Sequence, residues 1–186
     1  MLAAENRLLR EPREELLAFA LEHCPVDPTF GPFVRWARER GLPVTLVSDG
    51  YAFYIAPLLE RAGLGDVEVI TNVQLFDDRG RPDALAYPNA NADGCTGCGT
   101  CKMQAVQRAR ETRGPVVFIG EGVTDRYAAL YADVVFAKDE LPAVCLEAGV
   151  EYREWTDFDD VVRSLETGEP FPGPLSPVRC PGWTLN

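Results

Sequence analysis

No basic cluster offsets the acid in this chain. Its 186 residues carry 18 Lys+Arg against 29 Asp+Glu, a net formal charge of −11. That balance argues against nucleic acid or an anionic membrane as a partner, because both are held by clustered positive charge. Long hydrophobic runs are also missing: none approaches the roughly 20 residues of a transmembrane helix. Residues 1–13 (MLAAENRLLREPR) lack the apolar stretch and small-residue cleavage site of a secretory signal. The expectation is a cytoplasmic protein. Cysteine is sparse: six residues are too few for a disulfide scaffold and in a reducing compartment should be thiols or metal ligands. No internal repeat is visible. What remains is 46% apolar and 25% charged, the composition of a soluble globular domain long enough to bury a core without staples.

Short β-rich runs alternate with helical ones. Residues 5–22 read as a helix with a broad apolar face (Leu8, Leu9, Leu16, Leu17, Phe19, Ala20, Leu21), interrupted at Pro12. Asp27-Pro28 is a helix-start pair opening a helix to about residue 40, with Phe30, Phe33 and Trp36 inward and Gly41 as its stop. A strand follows at 43–47 (PVTLV), ending in the turn Ser48-Asp49-Gly50. Next come a helix at 51–62, a strand at 67–71 and a hairpin over 73–87 turning at Asp78-Arg79-Gly80. Beyond a Gly/Asn/Cys-rich loop at 88–100, helices are expected at 101–112, 124–131, 141–148 and 157–165. Strands are expected at 115–119 (PVVFI), 134–137 and 151–155. The tail from residue 167 carries Pro170, Pro172, Pro174, Pro177 and Pro181 and reads as extended or partly disordered. Strands apolar throughout, alternating with helices, predict an α/β fold: a Rossmann-like parallel sheet with helices on both faces. Ligands in such sheets sit beyond the carboxyl ends of the strands.

Three polar groups fall at those positions. Ser48 ends the PVTLV strand, where a hydroxyl with the free N–H groups around Asp49 and Gly50 can hold a phosphate oxygen; the alternative is a plain turn or capping serine. Lys102 lies in the first turn of a helix after CTGCGTCK. A cation there opposes the helix dipole, and makes sense if an anion sits at that terminus; the alternative is a solvated lysine. Glu121 and Asp125, in GEGVTD after the PVVFIG strand, can converge on one hard cation such as Mg²⁺. They can equally serve as favourable acids at a helix start.

The order strand–Ser, Lys at a helix start, strand–acidic pair resembles motifs two, three and four of the haloacid-dehalogenase superfamily of aspartate-nucleophile phosphatases, and within it the phosphoserine-phosphatase-like branch. VTLVSDGYAFYIAPLLE, CTGCGTCK and FIGEGVTDRYAALYADVVFAKDEL carry the resemblance. It continues through a Cys145-containing helix and WTDF and covers about residues 28–166. It implies a phosphatase of a small phosphorylated metabolite. Ser48 (with Asp49 and Gly50) would bind the phosphoryl group, Lys102 would neutralise it, and Glu121 and Asp125 would hold Mg²⁺. Glu121 departs from the aspartate usual there.

The resemblance also implies a DxDGT strand near the N-terminus, whose first aspartate attacks phosphorus and whose second serves as acid/base. Nothing before Ser48 supplies it; Asp27 precedes a proline as a helix cap, and Asp157-Phe158-Asp159 follows the polar EYREW and reads as capping. The expectation is a chain truncated within its cap: residues 1–24 a helical cap remnant, 25–166 a Rossmann-like core without its first strand, and 167–186 a proline-rich tail. Such a chain would be weakly active or inactive. The missing central strand would bare the edges of its neighbours, favouring homo-oligomerisation or marginal stability. A non-catalytic phosphate-binding or regulatory role is the alternative. Cys95, Cys98 and Cys101 form CxxCxxC, a metal-ligand spacing, yet His23, Cys24, Cys145 and Cys180 offer no matching pair. Structural thiols are favoured over zinc.

Overall fold

The strands among the described residues collect in two short sheets. The computed structural model describes residues 4, 6, 8–91 and 98–168. It divides into two compact units: Met1–Ala92 with Thr96–Thr100, and Asp93–Cys95 with Cys101–Asn186. Cys95, Cys180 and the prolines of the tail lie outside the described residues.

The first unit runs α1 (Arg13–His23), α2 (Phe30–Glu39), β1 (Thr45–Tyr51), α3 (Ala52–Arg61), β2 (Glu68–Phe76) and β3 (Pro82–Ala86). Pro12 stands directly before α1, where its fixed φ and missing N–H cost nothing. The broad apolar face expected of α1 is not buried. Ala20 alone is buried, and Phe19 is 62% exposed against the His23 ring, centroids 4.4 Å apart. Ahead of α2, Asp27 Oδ1 accepts the backbone N–H of Thr29 at 2.8 Å and its hydroxyl at 2.6 Å; the Asp27-Pro28 signal is therefore a turn leading into the helix, whose N-cap is Thr29 rather than Asp27. Phe30 and Phe33 are buried as expected, together with Val34 and Ala37. Trp36 is not: it is half-buried, with the Arg40 guanidinium 4.5 Å over its ring. Gly41, at φ 68°, supplies the left-handed exit. β2 does two jobs along its length, pairing parallel with β1 through Glu68–Ile70 and antiparallel with β3 from Val73 to Phe76. The sheet order is therefore β1-β2-β3, with the hairpin turn between Asp77 and Arg81.

The second unit runs α4 (Lys102–Arg113), β4 (Val117–Gly120), a 3₁₀ turn (Val123–Asp125), α5 (Arg126–Tyr131), β5 (Val134–Ala137), α6 (Leu141–Ala148), β6 (Arg153–Glu154) and α7 (Phe158–Glu166). All its strands are parallel, in the order β4-β5-β6. Every residue of β5 is buried. Strand alternation sends Val135 and Ala137 into a cluster with Met103, Val106, Leu130, Leu141 and Cys145, and Val134 and Phe136 to the other face. The polar EYREW segment contributes only the two-residue edge strand β6. Asp157 accepts the N–H of Asp160 at 3.1 Å as the cap of α7, which accounts for the DxD at this place.

Among the described residues β1 pairs only with β2, and β4 only with β5. The parallel α/β character expected from the sequence is present, and among the described residues β1 and β4 each have one side with no strand partner. The antiparallel β3 adds a mixed sheet.

Candidate functional site

In the first unit, the turn expected at Ser48-Asp49-Gly50 is the continuation of β1. Val47 pairs with Ile70, but the next paired residue is Tyr51, opposite Asn72, so two extra residues bulge out of the ladder between them. The bulge is tied down by polar groups of β2 and the 98–100 segment. Asn72 Nδ2 donates to the Asp49 carbonyl at 2.8 Å, Thr71 Oγ1 donates to the Gly50 carbonyl at 2.6 Å, and the Thr100 N–H donates to Asp49 Oδ1 at 3.1 Å. Thr100 Oγ1 and Asn72 Oδ1, both on fully buried side chains, lie 3.1 Å apart. Ser48 Oγ accepts the Gly50 N–H at 3.0 Å. A hydroxyl that accepts in this way keeps its own proton to donate. Sequence reasoning missed Thr71, Asn72 and Thr100; a polar pair inside the apolar run VEVITNVQLF was the available signal.

In the second unit, Lys102 is the first residue of α4, and the anion expected at that helix start is present within the protein itself. Lys102 Nζ donates to Asp125 Oδ1 at 2.7 Å and to Thr124 Oγ1 at 3.1 Å. The two charged side chains are only 14% and 8% exposed. Asp125 Oδ2 accepts the N–H groups of Glu121 at 2.9 Å and Gly122 at 3.1 Å. Gly120 makes room for this carboxylate: a methyl group on it would stand 2.7 Å from Asp125 Oδ2 and 2.7 Å from Phe118 Cε1. Gly120→Ala is therefore expected to dislodge Asp125 and cost about 1–3 kcal/mol, the usual range for overpacking, measured by urea unfolding.

Glu121 takes a different direction from Asp125. Its carboxylate is 62% exposed and lies 3.4 Å from Lys138 Nζ, which rests 3.8 Å from the centre of the Trp155 ring. Trp155 Nε1 in turn donates to the Gly120 carbonyl at 3.2 Å. The two acids thus share a backbone turn while each faces a different lysine. The donor set still fits a hard cation that keeps its waters. A carboxylate offers about four lone-pair positions, Asp125 uses three, and the exposed Glu121 pair is too weakly held to fix that side chain. Among the described residues no group of three His, Cys, Asp or Glu side chains is assembled for a metal.

Cys95 of the CxxCxxC run lies outside the described residues; Cys98 is exposed and Cys101 half-buried, as the residue before α4. Cys145 is buried in the second unit's cluster, where burial pushes its thiol up, away from the thiolate that a metal would need.

Residues 1–130 match the haloacid dehalogenase-like hydrolase family, and the chain belongs to it. It is 36% identical over 163 residues to the bifunctional enzyme MtnB/MtnX of Bacillus licheniformis, covering 87% of this chain and 37% of that protein. It is 33% identical over 156 residues to the 2-hydroxy-3-keto-5-methylthiopentenyl-1-phosphate phosphatase of Bacillus velezensis, covering 83% of this chain and 65% of that one. The chain therefore spans less than two thirds of either relative. Phosphoserine phosphatase from T. onnurineus, solved in complex with NDSB-201, shares the fold with a TM-score of 0.61 at 21% identity, over 85% of this chain and 67% of that one.

Proposed function

We propose that the chain binds the phosphoryl group of a small phosphorylated metabolite and belongs to a cytoplasmic phosphatase of the kind its relatives name, with 2-hydroxy-3-keto-5-methylthiopentenyl-1-phosphate as the first substrate to try. The observation that carries this reading is the state of Lys102. An ammonium has three N–H donors; two are spent on Thr124 and Asp125, which fix its direction, and the third has no partner among the described residues and is left for an anion. Ser48, by the motif order, supplies a neutral O–H donor to the same class of ligand, with the backbone N–H groups of its bulge. Asp125 and Glu121 are the residues that would hold Mg²⁺, which when bound neutralises charge on phosphate oxygens. Asp125 also holds Lys102 in place, and Lys102 offsets the negative charge of the transferring group.

Binding without turnover is the second reading, and a specific observation favours it. Ahead of Ser48 the sequence holds no Asp-x-Asp, and the two aspartates nearest to that role are taken up locally, Asp27 accepting from Thr29 in the turn before α2 and Asp157 capping α7. Turnover by these 186 residues alone is accordingly proposed to be weak or nil. Phosphate release from 2-hydroxy-3-keto-5-methylthiopentenyl-1-phosphate and from phosphoserine, in buffer with and without Mg²⁺, separates the readings. Release that disappears in Lys102→Ala supports the enzyme. Phosphate binding without release from either ester supports the binding role. A chain that neither binds phosphate nor releases it overturns both.

A further inference from the structure

Tyr54 is the third residue of α3, and side chains on a helix lean toward its N-terminus, here back over the Ser48 bulge. Its hydroxyl reaches the backbone itself. A methyl group built on Gly50 would collide with Tyr54 Oη and lie 3.2 Å from Ser48 Oγ and 3.0 Å from Ile55 Cδ1. Gly50 has no need of a left-handed backbone; it is glycine at this point because the tyrosine oxygen occupies the space beside it. Tyr54 Oη and Ser48 Oγ therefore border one spot, beside the bulge that is pinned by Thr71, Asn72 and Thr100.

The phenol is also in the right chemical state to donate. Burial pushes it up from its ordinary value, so it stays protonated through neutral pH, while the Tyr51 backbone N–H acts on its oxygen in the opposite sense. Its proton is thus present to give, as is that of the Ser48 hydroxyl. Its ring is held edge-on against Tyr51 and Phe53, with centroids 6.2 and 5.3 Å away, which limits how far the hydroxyl can swing.

We propose that the Tyr54 hydroxyl is a direct ligand of the phosphoryl group at the Ser48 bulge, donating to one of its oxygens beside Ser48 Oγ. The inference rests on the reading of Ser48 as a phosphate ligand and adds to it a residue that neither composition nor motif spacing singles out. A phosphate oxygen is an acceptor, and two hydroxyl donors converging on one spot, with neither proton committed among the described residues, match that need better than they match each other. Phenylalanine would keep the ring and remove only the donor, so Tyr54→Phe isolates the hydroxyl.

Inorganic phosphate titrated calorimetrically into the 186-residue chain, Ser48→Ala and Tyr54→Phe is the test, together with NMR of the chain carrying ¹³Cζ-labelled tyrosine. Tyr54→Phe should weaken phosphate binding by about tenfold or more, the effect of losing one hydrogen bond to a charged group. The Tyr54 ¹³Cζ resonance, assigned by its absence from Tyr54→Phe, should shift as phosphate saturates. Weaker binding by Ser48→Ala with no change in Tyr54→Phe overturns the role of Tyr54 and leaves Ser48 standing. Weaker binding by Tyr54→Phe with an unmoved Tyr54 resonance in the parent chain also overturns it, because a purely structural tyrosine would behave so. No phosphate binding by the parent chain, or none of it dependent on Ser48, overturns the Ser48 reading and this one with it.

Discussion

Lys102→Ala is expected to destabilise the second unit by about 3–5 kcal/mol and to abolish phosphate binding, the larger of the two effects foreseen at the site. Asp125 would be left with a carboxylate oxygen turned to no cation on a side chain only 8% exposed. The Glu121 and Gly122 N–H groups would still hold its other oxygen, so the charge could not simply turn out to water. The cost is that of stranding one ion, and it differs from the net contribution of the pair. Lys102→Met combined with Asp125→Asn should recover most of the lost stability: the asparagine carbonyl can still accept from the two amides, and no buried charge remains. Phosphate binding should stay lost in the double variant, because the ammonium is gone. Urea unfolding of the single and double variants, with phosphate calorimetry on each, reads both quantities. Full recovery of binding in the double variant would show that Lys102 serves only to neutralise Asp125.

Phe136→Ala should cost about 3–5 kcal/mol, against a total stability of about 5–15 kcal/mol for a typical domain. Phe136 has no exposed surface, and it sits in the one strand of the second unit that is buried from end to end. The Arg153 guanidinium, 5.8 Å from its ring centre, would lose that face as well. The loss should reach the site through the backbone. β5 leads into Lys138, Glu140 and Leu141, whose N–H groups bond the Gly120 and Glu121 carbonyls at 3.0 to 3.3 Å and so fix the turn that aims Asp125. Urea denaturation should show a lower midpoint with an unchanged slope. Val123→Ala, at a side chain 54% exposed on the same turn, should change stability by no more than about 0.5 kcal/mol.

Most of the helices and strands were legible because each carries a local signal that its neighbours respect. β5 and α6 fall at residues 134–137 and 141–148 as read, since VVFA is apolar without interruption and Leu141-Pro142 opens a helix. The Asp157 cap was legible for the same reason, its partner being three residues away. Elements whose form depends on distant partners were not. Ser48-Asp49-Gly50 looks like a turn in isolation; it is strand because Thr71 and Asn72, more than twenty residues on, bond its carbonyls. The apolar content of α1 predicts a buried face, but burial depends on what lies opposite: only Ala20 is fully buried, with Leu16, Leu17 and Leu21 half-buried. At the site, Lys102 could be singled out because a cation at a helix start opposes the dipole. Its partner among the two acids of GEGVTD could not be, since spacing alone does not say that Asp125 turns inward and Glu121 outward to Lys138. Tyr54 was invisible for a related reason: only the placement of its hydroxyl beside Gly50 sets it apart from an ordinary helical aromatic.

The open sides of β1 and β4 bear on how the molecule behaves at high concentration. A parallel strand with unpaired main-chain groups is a template for any other strand, and natural proteins commonly guard such edges with lysine or proline. β4 reads VFIG and carries neither; it is short, and none of its residues is exposed. Between two copies acts the long-range repulsion of bodies with net charge −11. That repulsion reaches about 10 Å in 0.1 M salt and about 3 Å in 1 M. Dilute buffers are therefore expected to keep copies of this chain dispersed, and concentrated salt to remove that electrostatic barrier.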